Sequence, residues 1–174
     1  TIGTATYTFT PNAGQCAAIT TMDIMITTSI TPAFTQIVPL CQNATAPALP
    51  TTSTNNITGT WNPATINTTT VGTTTYTFTP NAGQCAAITF LSITVEPLPA
   101  APAVSVTQPT CAISTGTIAI TSVTAGFTFS LDGAAHAVYP AGGYTGVATG
   151  SHTLTAQNAG GCISAITNIT ISAI

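Results

Sequence analysis

Ten side chains in this 174-residue sequence could support acid–base, metal or thiol chemistry: Asp23, Glu96 and Asp132, His136 and His152, and five cysteines at positions 16, 41, 85, 111 and 162. A hydrolytic carboxylate pair needs its two acids within about 5 to 9.5 Å. Asp23, Glu96 and Asp132 fall in three separate stretches of the chain, which does not favour their meeting. A triad of a serine with His152 and Asp132 can be drawn because serines are plentiful, but no strained nucleophile-elbow motif supports it. His136 and His152 with Asp132 could hold a metal at one edge of a domain, although two ordinary surface histidines account for the same residues. Calcium is poorly served by three acids, since its sites draw on several carboxylates. The expectation is no catalytic residue, no cofactor-binding residue, no cofactor and no metal ligand, and hence no enzyme.

Aromatic side chains offer binding chemistry instead. Trp61, in Gly59-Thr60-Trp61-Asn62-Pro63, is expected in a core, with an exposed sugar-stacking platform as the alternative. Tyr139 and Tyr144 flank Pro140-Ala141-Gly142-Gly143, where they either pack over the end of a domain or contact a ligand from a flexible loop. Asn43, Asn56, Asn67 and Asn168 each begin an Asn-x-Thr sequon, but threonine is so frequent that chance explains most of them.

The elements that position these residues are set out by an internal repeat. Gly3 to Thr20 returns 69 positions later as Gly72 to Thr89 with one substitution in eighteen, Ala5 against Thr74. Such a long period means supersecondary or small-domain beads in tandem. Beyond the near-identical stretch, Met22 aligns with Leu91, Ile24 with Ile93 and Ile26 with Val95, while the positions between them drift: Asp23 against Ser92, Met25 against Thr94. Alternate positions staying large and apolar mark a half-buried strand of period two. Tyr7 and Phe9, like Tyr76 and Phe78, alternate with threonines in the same way. Pro-Asn-Ala-Gly-Gln between the two strands suits a tight reversal, so each copy reads as an antiparallel hairpin.

Composition agrees. Threonine makes up about a quarter of the residues and 44% are apolar, with Gly and Pro as punctuation; β-branched side chains suit a pleated surface. With no Lys or Arg the chain cannot neutralise phosphates, which argues against nucleic acid and anionic membranes as partners. No apolar run approaches the roughly 18 residues of a spanning helix, so no membrane insertion is expected.

Three modules follow: residues 1–28, a closing hairpin; 29–96, a complete repeat; 97–174, a different unit. Short Pro-containing linkers join them, at Ile30-Thr31-Pro32 and from Glu96 to Pro102, and should act as semi-rigid spacers. In the last module strands are expected near Ala103–Val106, Gly116–Ser122, Phe127–Leu131, Ser151–Asn158 and Ile163–Ile171, with turns at Leu131-Asp132-Gly133 and Asn158-Ala159-Gly160-Gly161. Each complete module holds two cysteines, which predicts disulfides Cys41–Cys85 and Cys111–Cys162, 44 and 51 positions apart, and leaves Cys16 unpaired by truncation. On the chain-entropy model each is worth roughly 4 kcal/mol. Five free thiols are the alternative. Disulfides imply an oxidising, extracellular setting.

Residues 30–70, ITPAFTQIVPLCQNATAPALPTTSTNNITGTWNPATINTTT, followed by TTYTFTPNAGQCA, resemble the immunoglobulin-like repeats of giant cell-surface proteins from gliding Bacteroidetes. The last module, with VTQPTCAISTGTIAITSV, FTFSLDG, GVATGSHTLTAQNAGGC and ITNITI, resembles the SprB-type repeat of gliding-motility adhesins. The resemblance implies an all-β fold of tandem immunoglobulin-like antiparallel β-sandwich modules. It further implies a stalk or filament segment of a long adhesin, exported by the type IX system to the bacterial cell surface and giving reach and mechanical strength for attachment or gliding. Neighbouring repeats of the same chain would be its partners, with self-association into fibres or surface glycans as further ones. In such sandwiches a Trp often packs on the disulfide, which is the place expected of Trp61. Alternative functions are a carbohydrate-binding module of a secreted polysaccharide-degrading enzyme, or a subunit of a polymerised sheath or pilus.

Overall fold

The computed structural model describes residues 2–174, which form only strands, turns and loops. Twelve strands are present among them: β1 (Gly3–Phe9), β2 (Thr20–Ile26), β3 (Leu40–Cys41), β4 (Gly59–Asn62), β5 (Gly72–Pro80), β6 (Thr89–Glu96), β7 (Val104–Thr107), β8 (Gly116–Ile120), β9 (Thr128–Leu131), β10 (Tyr144–Val147), β11 (Gly150–Gln157) and β12 (Thr167–Ile171). They build four small sheets, ordered β1-β2, β3-β6-β5-β4, β10-β8-β7 and β12-β11-β9. β1–β2, β4–β5, β7–β8, β8–β10, β9–β11 and β11–β12 pair antiparallel, while two-residue β3 runs parallel to β6. No described helix is long and apolar enough to cross a membrane.

The residues group into two compact units. One holds the chain up to Ile37 with Pro47–Ile66 and Thr75–Ser92; the other holds Val38–Ala46, Asn67–Thr74 and Ile93–Ile174. The chain thus enters each unit more than once, a division different from the consecutive ranges 1–28, 29–96 and 97–174. Nor is the first expected linker a free spacer. The Ile30 N–H donates to the Cys85 carbonyl at 2.8 Å, the Ile30 carbonyl accepts from the Ala87 N–H at 2.9 Å, and Pro32 is buried.

In the first unit, apolar alternation becomes burial only in the second copy of the repeat. Tyr76 and Phe78 on β5 and Leu91 on β6 are buried, while Thr75, Phe90 and Ser92 point outward. On the matching positions of β1 and β2 every apolar side chain is solvent-exposed except half-buried Ala5. Period two is still there, but nothing among the described residues covers the hairpin's apolar face, so its expected half-burial does not occur. The reversal is also wider than expected. Ten residues separate β1 from β2 and eight separate β5 from β6, with the tight turn confined to a few of them: the Gln15 N–H reaches the Asn12 carbonyl at 3.3 Å.

The second unit contains the sheets β10-β8-β7 and β12-β11-β9, whose inner faces share a core of Ile118, Phe129, Val147, Leu154, Ala156, Ile169 and Ile171. The packing is close enough that a Cβ added at Gly116 would lie 2.9 Å from the Ile171 side chain. All five strands expected from sequence are present, with ends shifted by a few residues. β10 was not foreseen, because Tyr-Thr-Gly-Val is short and interrupted by Gly146 at φ 69°, a conformation suited to glycine. The Leu131-Asp132-Gly133 turn has φ 53° and 74° at its two central residues. These are the left-handed values a two-residue hairpin needs, and Asp-Gly supplies them.

Candidate functional site

Cys41 and Cys162 form the one disulfide among the described residues, with Cα atoms 5.4 Å apart. Cys16, Cys85 and Cys111 are free and exposed. The expected pairs Cys41–Cys85 and Cys111–Cys162 are therefore corrected to Cys41–Cys162. The reason lies in which strand ends meet. β3 sets Cys41 opposite Glu96, at the end of β6, whereas Cys85 precedes the start of that strand; the seven steps between Thr89 and Glu96 span roughly 23 Å. Cys111 sits in the β7–β8 connection, near the edge where the Gln108 side chain accepts from the Ser172 N–H beyond β12. Cys162 lies past the opposite end of β11, whose register runs from Gly150 opposite Ile171 to Gln157 opposite Thr128. What brings Cys162 to Cys41 is the Asn158–Gly161 turn. Its Gly160 lies so close to the Glu96 carboxylate that an added Cβ would collide with it, and Asn158 Nδ2 donates to the Pro97 carbonyl at 3.5 Å.

Trp61 is in a core, as expected, but its neighbours are aromatic rings rather than a disulfide. Its ring centroid is 4.8 Å from Phe34 and 5.1 Å from Phe78, and Phe34 and Phe78 are 4.7 Å apart, edge to face. The indole N–H donates to the Pro50 carbonyl at 2.8 Å, satisfying the polar end of a buried side chain. Strand β4 fixes this position, pairing Trp61 with Phe78 of β5. Phe34, which no sequence pattern singled out, completes the cluster. Gln84 was also missed, although its repetition as Gln15 was a usable signal. Its side chain donates to the Thr58 carbonyl at 2.7 Å and accepts from the Thr58 N–H at 2.8 Å, locking the β5–β6 turn to the strand entry.

Tyr139 and Tyr144 pack against the second unit's core, with rings 5.6 Å apart. Tyr139 also meets Phe129 at 6.1 Å, and its hydroxyl accepts from the Ile120 N–H at 2.9 Å. Burial, and secondarily the neighbouring Tyr139, raises the Tyr144 hydroxyl above its usual range. Both rings are thus packed at one end of the sheets, the structural side of the two expectations.

The three carboxylates are engaged separately. Asp23 accepts from the Thr6 hydroxyl across β1–β2 at 2.6 Å, and Glu96 flanks Gly160. Asp132 meets His152: Nδ1 lies 2.7 Å from the carboxylate, Nε2 donates to the Ala148 carbonyl at 2.9 Å, and the Thr153 N–H donates to Asp132 at 2.8 Å. With an acceptor at each ring nitrogen, the imidazolium form is favoured, and the hydrogen bond to Asp132 and that to Ala148 raise His152 above its ordinary value. Partial burial pushes Asp132 up, but its bonds from His152 and Thr153 outweigh that and leave it lowered. An open cleft of about 600 Å³ adjoins the pair, yet both ring nitrogens are spoken for, leaving neither as a base nor as a metal ligand. His136 instead meets the Thr155 hydroxyl at 3.2 Å. Among the described residues no three His, Cys, Asp or Glu side chains converge.

Compared with models of known protein families and with the sequences of characterised proteins, the chain matches none.

Proposed function

We propose that the chain is a segment of the stalk or filament of a long extracellular adhesin on a bacterial cell surface. Its units would be tandem immunoglobulin-like β-sandwich modules that give reach and mechanical strength for attachment or gliding. The observation that supports this reading most is the repeat: one hairpin sequence is built twice in 174 residues, inside an all-β chain of small sheets. Tandem repetition of small units builds length one unit at a time, which suits a spacer. The Cys41–Cys162 bridge suits an oxidising exterior, and a surface with no Lys or Arg, hydroxylated by threonine, offers trypsin nothing to cut. Trp61 is buried and Tyr139 and Tyr144 are packed against a core, which counts against the three rings on which the carbohydrate-binding alternative rested.

Small-angle scattering of the chain, with a glycan-array screen of the same material, tests the reading. A rod-like cross-section profile and no glycan binding are expected. Saturable binding to one glycan class, abolished by Tyr144→Ala in a folded protein, would overturn it.

A further inference from the structure

The first hairpin presents, uncovered, a face that the second copy of the same sequence keeps buried. Tyr7, Phe9, Met22, Ile24 and Ile26 are 42 to 64% exposed, while their counterparts Tyr76, Phe78, Leu91, Ile93 and Val95 are 0 to 6% exposed. The second copy also displays the occupant. Strand β4 adds to the edge of β5 from Gly59 opposite Pro80 to Asn62 opposite Thr77. Trp61 and Phe34 close over Phe78, Ile30 bridges to Ala86, and the Gln36 side chain donates to the Ser92 carbonyl at 2.7 Å. Each of these acceptor positions has a counterpart in the first hairpin, and over Thr6–Thr20 the two sequences are identical.

We infer that the β1–β2 hairpin is a docking site for a polypeptide segment of the residue 29–62 type, one not already engaged with a hairpin of its own. Such a segment adds a strand along the outer edge of β1 at Thr8–Pro11 and seats a Trp and a Phe over Phe9. Backbone pairing along a sheet edge supplies register, and side-chain pockets supply specificity. The site is uncharged apart from Asp23, already held by Thr6, and residues 29–62 contain no charged side chain, so no charge is stranded on docking. The five exposed side chains offer roughly 500 Å² of apolar area, or about 1,000 Å² counting both surfaces, the floor for a specific interface. A second copy of this chain is a poor donor: lending its own residues 29–62 would bare a face equal to the one it covers. The inference stands apart from the stalk reading, because it concerns this hairpin whatever the chain does.

The chain's two methionines serve as built-in probes. Met22 and Met25 are both exposed, at 60 and 72%, and lie on opposite faces of β2. The probe is a synthetic peptide of residues 29–62 carrying Cys41→Ser, mixed with the full chain. Oxidation by dilute peroxide is then followed by mass spectrometry. Expected are saturable one-to-one binding and slowing of Met22 oxidation by about tenfold with Met25 unchanged. A loss of affinity of about tenfold or more is expected for the peptide's Trp61→Ala variant and for the chain's Phe9→Ala variant, as for a central aromatic anchor. Absence of binding, equal protection of both methionines, or full binding by the Trp61→Ala peptide would overturn the inference. So would concentration-dependent protection of Met22 without peptide, which would make a second copy the occupant.

Discussion

The two repeat copies allow one substitution to be made twice in a single chain, in identical sequence and opposite surroundings. Phe78→Ala removes a ring with no solvent exposure, packed 4.7 Å from Phe34 and 5.1 Å from Trp61. Burying a large aromatic and then truncating it costs about 3 to 5 kcal/mol in transfer and cavity terms. Two lost aromatic pairs push the value toward the upper end, since each contributes about 0.5 to 1.5 kcal/mol beyond area. Collapse offers little relief: the space beside the ring belongs to Gly59, where no side chain stands to swing in. The expected cost is about 4 kcal/mol. Phe9→Ala removes a ring 64% exposed on an uncovered face, and the change should stay within about 0.5 kcal/mol. Urea unfolding followed by fluorescence isolates the comparison, because Trp61 is the chain's only tryptophan and sits against Phe78. Equal shifts of the fluorescence midpoint for both variants, or a cost below about 1 kcal/mol for Phe78→Ala, would refute the assignment of the two faces.

Thiol titration of the native oxidised chain should find three reactive groups, Cys16, Cys85 and Cys111; the repeat-based pairing would leave one. Cys41→Ser should destabilise the chain by up to about 5 kcal/mol on the chain-entropy model, given a sequence separation of 121, which calorimetry with and without reductant can measure. His152 is raised, so its contribution is complete below its unfolded value near 6.5 and is lost as pH rises through the folded one. Asp132 is lowered, so its contribution is complete above about 3.9 and is lost as pH falls through the folded value. The pair therefore stabilises most between roughly pH 4 and 6.5, by no more than about 1 kcal/mol given its exposure. His152→Gln should flatten that part of the stability–pH curve, and an NMR titration of His152 with an apparent midpoint below 6.5 would contradict the geometry. Gly59→Ala should cost about 3 kcal/mol or more by thermal unfolding. Its Cβ would strike the Thr79 carbonyl and come within 2.6 Å of the Phe78 ring.

What could be read from sequence was what a strand decides locally. The alternation of Tyr76 and Phe78 with threonines, and of Leu91, Ile93 and Val95 with their neighbours, predicted the inward face of β5 and β6, because side-chain direction follows from backbone pleat alone. The same alternation predicted burial of Tyr7 and Met22, which fails because burial also needs a covering element. The disulfide was illegible for a related reason. Proximity of Cys41 to Cys162 depends on where β3, β6 and the Asn158–Gly161 turn come together, and nothing in the cysteine spacing encodes it. His152 and Asp132 could be named together only as members of a serine triad or a metal site, whereas their direct pairing rests on the β9 turn lying beside β11, so neither the shifted acidities nor the blocked ring nitrogens were available beforehand.

The bridge between Cys41 and Cys162 also divides the chain into length that tension can reach and length that it cannot. Pulled from its ends while oxidised, the polypeptide can pay out only the stretches outside the loop, because force passes through the sulfurs and by-passes everything they enclose. The 121 positions so withheld correspond to roughly 400 Å of extended chain. Reduction would return that reserve without altering a single residue, making the redox state of one bond the setting for how far this molecule can stretch.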